Sequence, residues 1–459
     1  MKVTPIFLLM LFGLPVLAQN IAAKLKNAVR SLEADSQMRH GLTGLYVVNS
    51  KTGEVIINQN AETGMATASC LKVITCATAF ELLGHDFTYK TILSTSGLIK
   101  NDTLNGDAII NGVGDPTFGS WRFTSTHEDS IVSGFNKALN QAGVKAINGL
   151  FVVNDNIWDD EVIPGGWPWD DIGSYYGAGA RAFNWRENQY DIILKSGNKI
   201  GDSVQVVETV PAKIEALQLE IKTTSAEKGS GDNAYIFMPN GNSKTFVRGT
   251  IPINESRFTI SGSLPNPAQQ FIQAFAKQMP LNNIEPHNKK SDTSAGTILY
   301  THNSPPLDSI NFYFLRRSIN LYGEALLKTI AYKQTGVGAT DSGVNVVKRF
   351  WKDHNIEETA INIKDGSGLS PANRVTPKAL VYVLQFAASR PWYRSFYYAL
   401  PEINNIKMKS GSIGGVASYA GYVKSKSGTE YTFAIIVNNY NGAGSAIRKK
   451  MWAVLDLLK

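Results

Sequence analysis

The amino-acid sequence predicts an α/β fold of the α+β kind, in which helices flank an antiparallel sheet and a large, mostly β region is inserted. Two patterns lead to this prediction. Amphipathic helices and β-rich hairpins occur at both ends of the chain, whereas the middle consists of short β-rich runs broken by Gly, Asn and Pro. With 459 residues the chain also exceeds what one hydrophobic core usually supports, so more than one domain is expected.

Both ends of the chain are predicted to contribute to one sheet. Apolar residues recur at helical spacing from Ile21 to Leu32 and again from Ile447 to Leu458, which predicts a helix near each terminus. Two β-rich pairs of segments, each around a short turn, predict hairpins next to these helices. The predicted strands are 44–49 with 54–58, and 419–424 with 430–437.

A buried helix is predicted close to the first hairpin. The segment from Leu71 to Leu83 is apolar almost all round and ends before Gly84, a favourable residue after a helix. Ser69 lies at its start. The two cysteines, Cys70 and Cys76, would lie about 240° apart around this helix, which is too far for a disulfide, so both are expected to be small buried residues.

The middle of the chain is predicted to be an insertion. From residue 87 to residue 292 no long helical period occurs until Pro267–Gln278. The polar stretch 280–295 is typical of a linker and marks the expected return to the first domain. The predicted organisation is a first domain made of residues 19–86 and 293–459, and an inserted region over 87–292 with room for two subdomains.

Residues 1–18 have the pattern of a cleavable signal peptide. Lys2 precedes an apolar run that is too short to span a bilayer comfortably, and the small residues Val16 and Ala18 precede Gln19. No Cys follows the expected cleavage point, and no later segment is long and apolar enough to span a membrane. We therefore expect a mature chain outside the cytoplasm, without a transmembrane anchor.

Composition excludes several function classes. The 43% hydrophobic and 18% charged residues are typical of a globular protein. The net charge of +7 is better explained by a need for solubility than by affinity for an acidic polymer. No Lys/Arg run with interleaved aromatic residues is present, so no nucleic-acid partner is expected. The six histidines form no metal-binding motif, so neither a metal nor a cofactor is expected. No GxSxG elbow occurs, which argues against a Ser-His-Asp hydrolase.

Ser69 and Lys72 offer a nucleophile and a base. At the start of a helix, a Ser and a Lys three residues apart lie on one face, so that the amine can reach the hydroxyl. Burial and a second nearby cation would lower the pKa of Lys72 and allow it to act as a base. This four-residue motif is weak evidence by itself, because it recurs at 196–199 and 225–228.

Two later motifs strengthen this assignment. Ser318-Ile319-Asn320 begins an apparent helix and Lys409-Ser410-Gly411 lies in an apparent strand, which completes the ordered set of β-lactamases and penicillin-binding proteins. Competing matches exist. Residues 309–311 also fit the second motif, and the third is resembled by 51–53, 195–197 and 426–428. The first and last of these lie at hairpin turns, where such residues are ordinary.

The chain resembles the low-molecular-mass class C penicillin-binding proteins, the D-Ala-D-Ala carboxypeptidase/endopeptidase family S13. Beyond the three motifs, the family-like stretches are 105–107, 114–118, 164–171, 173–179, 320–324 and 365–370. The resemblance covers nearly the whole mature chain and implies a penicillin-binding transpeptidase-like, or serine β-lactamase-like, first domain. It favours Ser318 over Ser309, because the family places the second motif directly before Leu-Tyr. Ser410 replaces the usual Thr and keeps the hydroxyl.

The resemblance also implies a role for each site residue. Ser69 would attack the substrate carbonyl, Lys72 would take its proton, and Ser318 would relay that proton to the leaving amine. The backbone N–H groups of Ser69 and Ser412 would bind the oxyanion. The implied substrate-binding residues are Asn320 for the peptide amide, Lys409 for its positive field, Ser410 and Ser412 for the terminal carboxylate, and Asp171. Asp171 would bind the amino group of a diaminopimelate side chain or make only a loop hydrogen bond.

The implied function is a serine-type D-Ala-D-Ala carboxypeptidase with DD-endopeptidase ability that acts on peptidoglycan peptides in the periplasm, as a soluble or peripherally membrane-associated protein. β-Lactam antibiotics would act as inhibitors by forming a slowly hydrolysed ester. One alternative is a serine β-lactamase or esterase with the same motifs, which would need a water-activating group that no motif supplies. Another is a catalytically silent cell-wall binding protein, against which the intact motifs argue. The sequence leaves the oligomeric state open.

Overall fold

The computed structural model describes residues 13–214, 217–239, 244–279, 284–286 and 296–459, and their side chains from residue 21 onward except 284–286. The first 12 residues of the predicted signal peptide therefore lie outside the described residues, as does most of the predicted linker. The first helix begins at Gly13, before the predicted cleavage point.

The helices, in chain order, are α1 (Gly13–Glu33), α2 (Lys72–Leu83), α3 (Glu128–Gln141), α4 (Trp169–Ile172), α5 (Pro267–Ala276), α6 (Leu307–Arg316), α7 (Asn320–Thr335), α8 (Thr340–Asp353), α9 (Pro377–Ala388), α10 (Tyr393–Ala399) and α11 (Gly444–Leu455). The strands are β1 (Leu42–Asn49), β2 (Val55–Gln59), β3 (Lys90–Thr95), β4 (Leu98–Lys100), β5 (Thr103–Asn105), β6 (Ala108–Asn111), β7 (Ala146–Ile147), β8 (Phe151–Asn154), β9 (Gln189–Lys195), β10 (Gln205–Val210), β11 (Leu219–Ile221), β12 (Thr224–Ala226), β13 (Asn233–Phe237), β14 (Thr245–Pro252), β15 (Phe258–Ser263), β16 (Ile284–Pro286), β17 (Thr297–Asn303), β18 (Ile361–Asn362), β19 (Arg374–Val375), β20 (Glu402–Ile403), β21 (Ile406–Ile413), β22 (Val416–Lys424) and β23 (Glu430–Asn438).

A six-stranded antiparallel sheet lies at the centre of the first domain, in the order β2-β1-β23-β22-β21-β20. Strand β1 pairs with β23 along its whole length, so the two ends of the chain meet in one sheet as predicted. One face packs on α1 and α11 and the opposite face on α2 and α9. Because helices cover both faces, β22 and β23 are buried along nearly their entire lengths.

The inserted region has a hydrophobic core of its own, separate from the cores on the two sides of the first sheet. Its described strands form a five-stranded mixed sheet and several smaller sheets. Phe271 of α5 is fully buried at the centre of this core, with ring contacts to Phe118, Phe183 and Trp185. The predicted helix near Pro267 is therefore confirmed, and it anchors the core of the insertion.

The prediction that no helix precedes Pro267 in the insertion was wrong. Helix α3 begins with Glu128 and Asp129, which favour a helix N-terminus, and buries Ile131, Phe135 and Leu139. Its other positions include Ser, Gly and Asn, which have low helix propensity. Packing of the apolar face therefore stabilises a helix that propensity alone does not indicate.

Strand pairing moves the return from the insertion further along the chain than the predicted residue 293. Strand β17 pairs with β3 at the edge of the five-stranded sheet, in the order β16-β8-β6-β3-β17. The chain therefore belongs to this sheet until Asn303, and α6 is the next helix of the first domain.

Two polar clusters hold the insertion against α7. Glu187, from the insertion, accepts hydrogen bonds from Tyr322 Oη at 2.7 Å and from Arg122 Nε at 2.7 Å. Lys328 Nζ donates to Asp159 Oδ1 at 2.8 Å. Both clusters are largely buried, so these charges are paired rather than left without partners in a medium of low polarity. Because α7 begins at Asn320, these contacts also fix the position of the second predicted motif.

Two negative findings concern the described part of the chain. No helix there is both long enough and apolar enough to cross a membrane. In the same residues, no group of three His, Cys, Asp or Glu side chains is arranged to hold a metal ion.

Truncation of Phe271 should destabilise the insertion. We expect Phe271→Ala to lower the free energy of unfolding by about 3–5 kcal/mol, because it removes a buried ring and leaves a cavity. Denaturant-induced unfolding would measure this loss. The matched control is Leu98→Ala, at a position of the insertion that is 79% exposed, which should change the value by less than about 0.5 kcal/mol. Similar losses in the two variants would contradict this description of the core.

Candidate active site

Ser69 lies in a strained turn that leads into α2. Residues Ala68–Leu71 form a short 3-10 helix, and Ala68 has a φ of 45°, in the left-handed region that L-residues rarely adopt. Such a conformation costs on the order of 1–3 kcal/mol and persists only when surrounding structure imposes it. Two glycines do so from either side, Gly411 and Gly368.

Gly411 lets strand β21 pass directly over this turn. A Cβ atom at this position would lie 2.4 Å from the Thr67 carbonyl oxygen and 2.8 Å from the Ser69 backbone nitrogen, closer than any real contact. Gly368 approaches from the opposite loop, where a Cβ would lie 2.0 Å from the Ala68 carbonyl oxygen. The glycine of the predicted Lys409-Ser410-Gly411 motif is therefore explained by close packing of two backbones.

Lys72 is fully buried and contacts three oxygen atoms. Its Nζ lies 2.9 Å from Ser69 Oγ, 2.6 Å from Asn320 Oδ1 and 2.7 Å from the Ser367 carbonyl oxygen. A neutral amine has two N–H groups and one lone pair. The amide oxygen and the carbonyl can accept only from the N–H groups, so the lone pair of a neutral Lys72 is directed at the hydroxyl of Ser69. This is the geometry that a general base for Ser69 requires.

The surroundings of Lys72 favour this neutral form. Burial lowers the pKa of Lys72 well below its usual value, and the positive charge of Lys409 lowers it further. The carboxyl groups of Asp365 and Glu324 act in the opposite direction and are outweighed. The predicted effects of burial and of a second cation on the pKa of Lys72 are thus both found, and the second cation is Lys409.

Asn320 and Ser318 occupy the start of α7, but only Asn320 touches Lys72. Besides accepting from Lys72, Asn320 donates from Nδ2 to the carbonyl oxygen of Tyr176 at 2.8 Å, which fixes its amide and joins the insertion to the site. Ser318 has a φ of 58° and is partly exposed. Within the described residues no hydrogen bond links its hydroxyl to Ser69 or Lys72. Ser318 is therefore the second strained residue of the site, and it is itself a predicted catalytic group.

Strand β21 carries the third motif and presents an open edge. It pairs with β22 on one side, whereas on the other side the short β20 pairs only with Ile406 and Lys407. In the described structure the remainder of that edge has no strand beside it, and Gly411 brings it next to Ser69. A peptide in extended conformation could add to such an edge through backbone hydrogen bonds.

The three polar residues of this strand differ in exposure. Lys409 is buried, donates from Nζ to the Ser410 carbonyl oxygen at 2.7 Å, and has a pKa lowered to about 8 by burial. Ser410 is partly exposed and Ser412 is exposed. The two hydroxyl side chains are therefore accessible to a ligand, whereas Lys409 acts from beneath the surface.

Sequence reasoning gave no role to the loop 365–370, which supplies the second acceptor for Lys72. Asp365 fixes this loop by accepting from the backbone N–H groups of Gly368 and Ser370 and from the side chain of Trp167. The loop in turn places the Ser367 carbonyl 2.7 Å from Lys72 Nζ. The Asp, Gly and Ser residues of this stretch are typical of a tight turn. The sequence does not indicate which backbone carbonyl contacts Lys72, because every residue has one.

Glu324 is a further buried group that sequence reasoning missed. Its Oε2 accepts from the Gly366 backbone N–H at 3.0 Å, on the same loop. Burial raises the pKa of Glu324 to about 8, and the nearby Asp365 contributes in the same direction. This raised pKa favours the uncharged carboxyl, which reduces the negative charge beside Lys72 and so favours the neutral amine.

Asp171 lies in α4, outside direct contact with Ser69 and Lys72. Its Oδ1 accepts from Tyr176 Oη at 3.1 Å, and burial raises its pKa. The loop hydrogen bond that was one of the two expectations for Asp171 is therefore present. The Tyr176 carbonyl accepts a hydrogen bond from Asn320, which in turn contacts Lys72. Asp171 is therefore connected to Lys72 only through Tyr176 and Asn320.

The cysteine beside Ser69 is not a competing nucleophile. Cys70 is fully buried, its Sγ donates to the Lys409 carbonyl oxygen at 3.2 Å, and burial raises its pKa to about 11. Cys76 is also buried, and neither cysteine forms a disulfide. Both are the small buried residues that the sequence predicted.

Comparison with known proteins agrees with this geometry. The model of the D-Ala-D-Ala carboxypeptidase 3 (S13) family matches residues 25–403 and 401–458. The chain belongs to the S13 family. This confirms the predicted family and, with it, the assignment to the D-Ala-D-Ala carboxypeptidase class of hydrolases.

Relatives in this family match most of the chain. The D-alanyl-D-alanine carboxypeptidase of Actinomadura sp. (strain R39) is 24% identical, over 93% of this chain and 84% of its own. D-alanyl-D-alanine carboxypeptidase DacB of Haemophilus influenzae is 24% identical, over 87% of this chain and 85% of its own. The crystal structure of penicillin binding protein 4 (dacB) from Haemophilus influenzae, at 22% identity, covers 95% of this chain and 99% of its own with a TM-score of 0.78. The predicted penicillin-binding fold is therefore confirmed.

Substitution of Gly411 should disable acylation of Ser69. We expect Gly411→Ala to slow labelling by a fluorescent penicillin by roughly 100-fold, because the added Cβ displaces the turn that holds Ser69 by an appreciable fraction of an ångström. Gly414→Ala is the matched control on the same strand connection, since a Cβ there meets no atom within 4 Å. Its labelling rate should stay within about twofold of the parent rate. Equal rates for the two variants would show that close packing at Gly411 is unimportant.

Proposed function

We propose that this chain is a serine-type D-Ala-D-Ala carboxypeptidase with DD-endopeptidase activity, and that Ser69 forms the acyl-enzyme. The observation that carries this proposal is the buried Lys72 amine 2.9 Å from Ser69 Oγ, with its pKa well below the usual value. The D-alanyl-D-alanine carboxypeptidases of the same family support the substrate class.

Acylation begins with proton transfer from Ser69 to Lys72. Ser69 Oγ attacks the carbonyl carbon of the penultimate D-Ala while Lys72 Nζ takes the hydroxyl proton, which gives a tetrahedral oxyanion and a charged Lys72. Collapse of this intermediate breaks the C–N bond. The proton passes from Lys72 through the Ser318 hydroxyl to the leaving amine, which leaves an ester on Ser69 and a neutral Lys72.

Donors along β21 would stabilise the oxyanion and hold the substrate. The backbone N–H groups of Ser69 and Ser412 bind the oxyanion, and the approach of β21 to the turn at Gly411 supports this pairing. The hydroxyl groups of Ser410 and Ser412 bind the terminal carboxylate, and Lys409 attracts it from below. The Asn320 amide holds the peptide beside the open edge of β21.

Water then hydrolyses the ester and returns Ser69 to its free form. A β-lactam would form the same ester with its opened ring, and the tethered leaving group would slow the attack of water. Penicillin binding protein 4 of Haemophilus influenzae, which has a similar fold, has been crystallised in complex with a β-lactam, and this supports β-lactam binding by the present chain.

Asp171 is proposed to contribute to substrate selection. Its carboxylate is partly exposed and lies at the end of a short chain of contacts through Tyr176 to Asn320. From there it would bind the amino group of a diaminopimelate side chain in the donor peptide. This amino group carries a positive charge, which suits a carboxylate partner.

The predicted signal peptide supports action outside the cytoplasm, in the periplasm, on the peptides of the cell wall. Its apolar run and small residues before Gln19 are the pattern that signal peptidase cleaves. N-terminal sequencing of the exported protein would test this point, and an intact Met1 on it would contradict the cleavage.

Labelling of Ser69 by penicillin tests the proposed function. We expect the purified protein to form a covalent adduct with fluorescent penicillin that survives denaturing gels for hours, and to release D-Ala from a pentapeptide. Ser69→Ala should lose both activities, because it removes the hydroxyl that lies 2.9 Å from Lys72 Nζ. Cys70→Ser is the matched control that keeps Ser69 and should keep the adduct.

The same experiment separates the alternatives. Rapid loss of the label would favour a β-lactamase. Absence of label on the unmodified protein, together with absence of D-Ala release, would favour a catalytically silent binding protein and would contradict the proposal.

The pH dependence of the acylation rate should reflect the protonation of Lys72 and of Lys409. Acylation needs a neutral Lys72, so its rate should rise as pH increases through the lowered pKa of Lys72. It also needs a charged Lys409, so the rate should fall above pH about 8, where Lys409 loses its proton. In Lys409→Arg the guanidinium stays charged, and the alkaline decline should move to higher pH even if the maximal rate is reduced. The second-order rate constant of penicillin acylation from pH 5 to 10 measures both limbs, and an alkaline limb that is the same in parent and variant would exclude Lys409 as its source.

A further inference from the structure

A cavity of about 610 Å³ lies beside the second motif, and the proposed mechanism makes no use of most of its walls. Ser318 and Asn320 form its boundary with the site. The insertion and the end of α6 supply the rest of the lining, chiefly Trp121, Arg122, Tyr175, Glu187, Tyr313 and Arg317. The cavity therefore borders Ser318 and Asn320 of the proposed site and has residues from both domains in its lining.

The charges in this cavity leave a positive excess. Arg122 and Glu187 neutralise each other through two hydrogen bonds, at 2.7 Å from Nε and 3.0 Å from Nη2. Glu187 also accepts from Ser120 and Tyr322, so its oxygens are occupied. Arg317 is exposed, and within the described residues its guanidinium has no carboxylate partner. An anion that enters the cavity would therefore meet one uncompensated cation.

Aromatic rings provide the remaining walls. Trp121 and Tyr175 are 41% and 52% exposed, so both rings are accessible to a ligand in the cavity. The Arg122 guanidinium lies 5.5 Å from the Trp121 ring centre and 5.6 Å from that of Tyr313, so it is held between two rings. A few fixed polar groups among aromatic walls are typical of a small-ligand site.

The wall that contains Glu187 is held in a strained conformation. Arg186, Glu187 and Asn188 have φ values of 56°, 54° and 49°, and three consecutive L-residues in this region cost on the order of 1–2 kcal/mol each. The Asn188 side chain maintains the turn, since it accepts from the Trp185 backbone N–H and donates to the Gly179 carbonyl. The cavity wall is thus rigid before any ligand arrives, which lowers the entropic cost of binding.

We propose that this cavity binds the second peptide strand of a cross-linked substrate, the strand whose amine leaves, and that Arg317 recognises a carboxylate on this strand beyond the one held by Ser410 and Ser412. The inference rests on the proposed function. Ser318 is the group that delivers a proton to the leaving amine, so a cavity bounded by Ser318 lies on the leaving side. A departing D-Ala ends close to the reacting bond, whereas a cross-linked strand continues beyond it and needs a space of this kind. Arg317 therefore determines the preference for endopeptidase over carboxypeptidase substrates.

The test compares two substrate classes in variants of one residue. The substrates are a pentapeptide ending in D-Ala-D-Ala, a D-Ala cross-linked peptide dimer whose leaving strand has a second free carboxylate beyond the one next to the departing amine, and the same dimer with that second carboxylate converted to an amide. The proteins are the parent, Arg317→Ala, Arg317→Lys and the control Arg394→Ala, which removes an exposed cation on α10. The readout is the ratio of kcat/KM for each dimer to kcat/KM for the pentapeptide.

We expect Arg317→Ala to lower this ratio for the carboxylate dimer roughly tenfold, the loss of one charge-assisted contact. Arg317→Lys should restore most of it, and Arg394→Ala should leave it unchanged. In the parent the amide dimer should show the same reduced ratio, and Arg317→Ala should reduce it no further, because both changes remove the same contact.

Four results would overturn the proposal. A ratio that Arg317→Ala leaves unchanged excludes Arg317 from selection of the second strand. A further loss on the amide dimer shows that Arg317 does not act through the carboxylate. A parent that hydrolyses the pentapeptide but cleaves neither dimer removes this inference and keeps the proposed carboxypeptidase, whereas a parent that acts on no substrate and binds no penicillin removes both.

Discussion

The proposed chemistry of the site depends on the burial of one lysine amine, which lowers its pKa, and on the contact of that amine with one hydroxyl. Lys72 is fully buried, and the oxygens of Asn320 and Ser367 occupy its two N–H groups, so its lone pair is left for Ser69. These two acceptors lie 248 and 295 residues further along the chain. Both oxygens lie within 3 Å of Lys72 Nζ. This requires α7 and the 365–370 loop to pack against α2 in one well-defined arrangement.

Close backbone packing provides that accuracy. Gly411 and Gly368 let β21 and the loop approach the strained turn at Ala68 more closely than any side chain would permit. Gly366 and Gly323 make a similar contact, because a Cβ on Gly366 would lie 2.4 Å from the Gly323 carbonyl oxygen. These glycines join the three motifs into one rigid unit, and the strain at Ala68 and Ser318 is balanced by the surrounding contacts.

The insertion is part of this unit rather than a separate appendage. Glu187 accepts from Tyr322 of α7, and Asn320 at the start of α7 donates to the Tyr176 carbonyl. The same Glu187 forms a wall of the cavity next to Ser318. One buried carboxylate therefore couples the position of Asn320, and through it Lys72, to the shape of the neighbouring cavity.

The sequence alone predicted the sheet built from both chain ends, the buried helix after Ser69, the family and the pairing of Ser69 with Lys72. These predictions were possible because the features depend on local hydrophobic periodicity and on side chains of distinctive chemistry. It missed α3, whose Ser, Gly and Asn positions hide an apolar face that only packing stabilises. It set the end of the insertion too early, since β17 joins its sheet by pairing with a distant strand. Tertiary structure alone decided that a backbone carbonyl, that of Ser367, contacts Lys72, and that burial raises the pKa of Glu324 nearby. Both depend on which atoms share a buried volume, and residue types in sequence do not encode that directly.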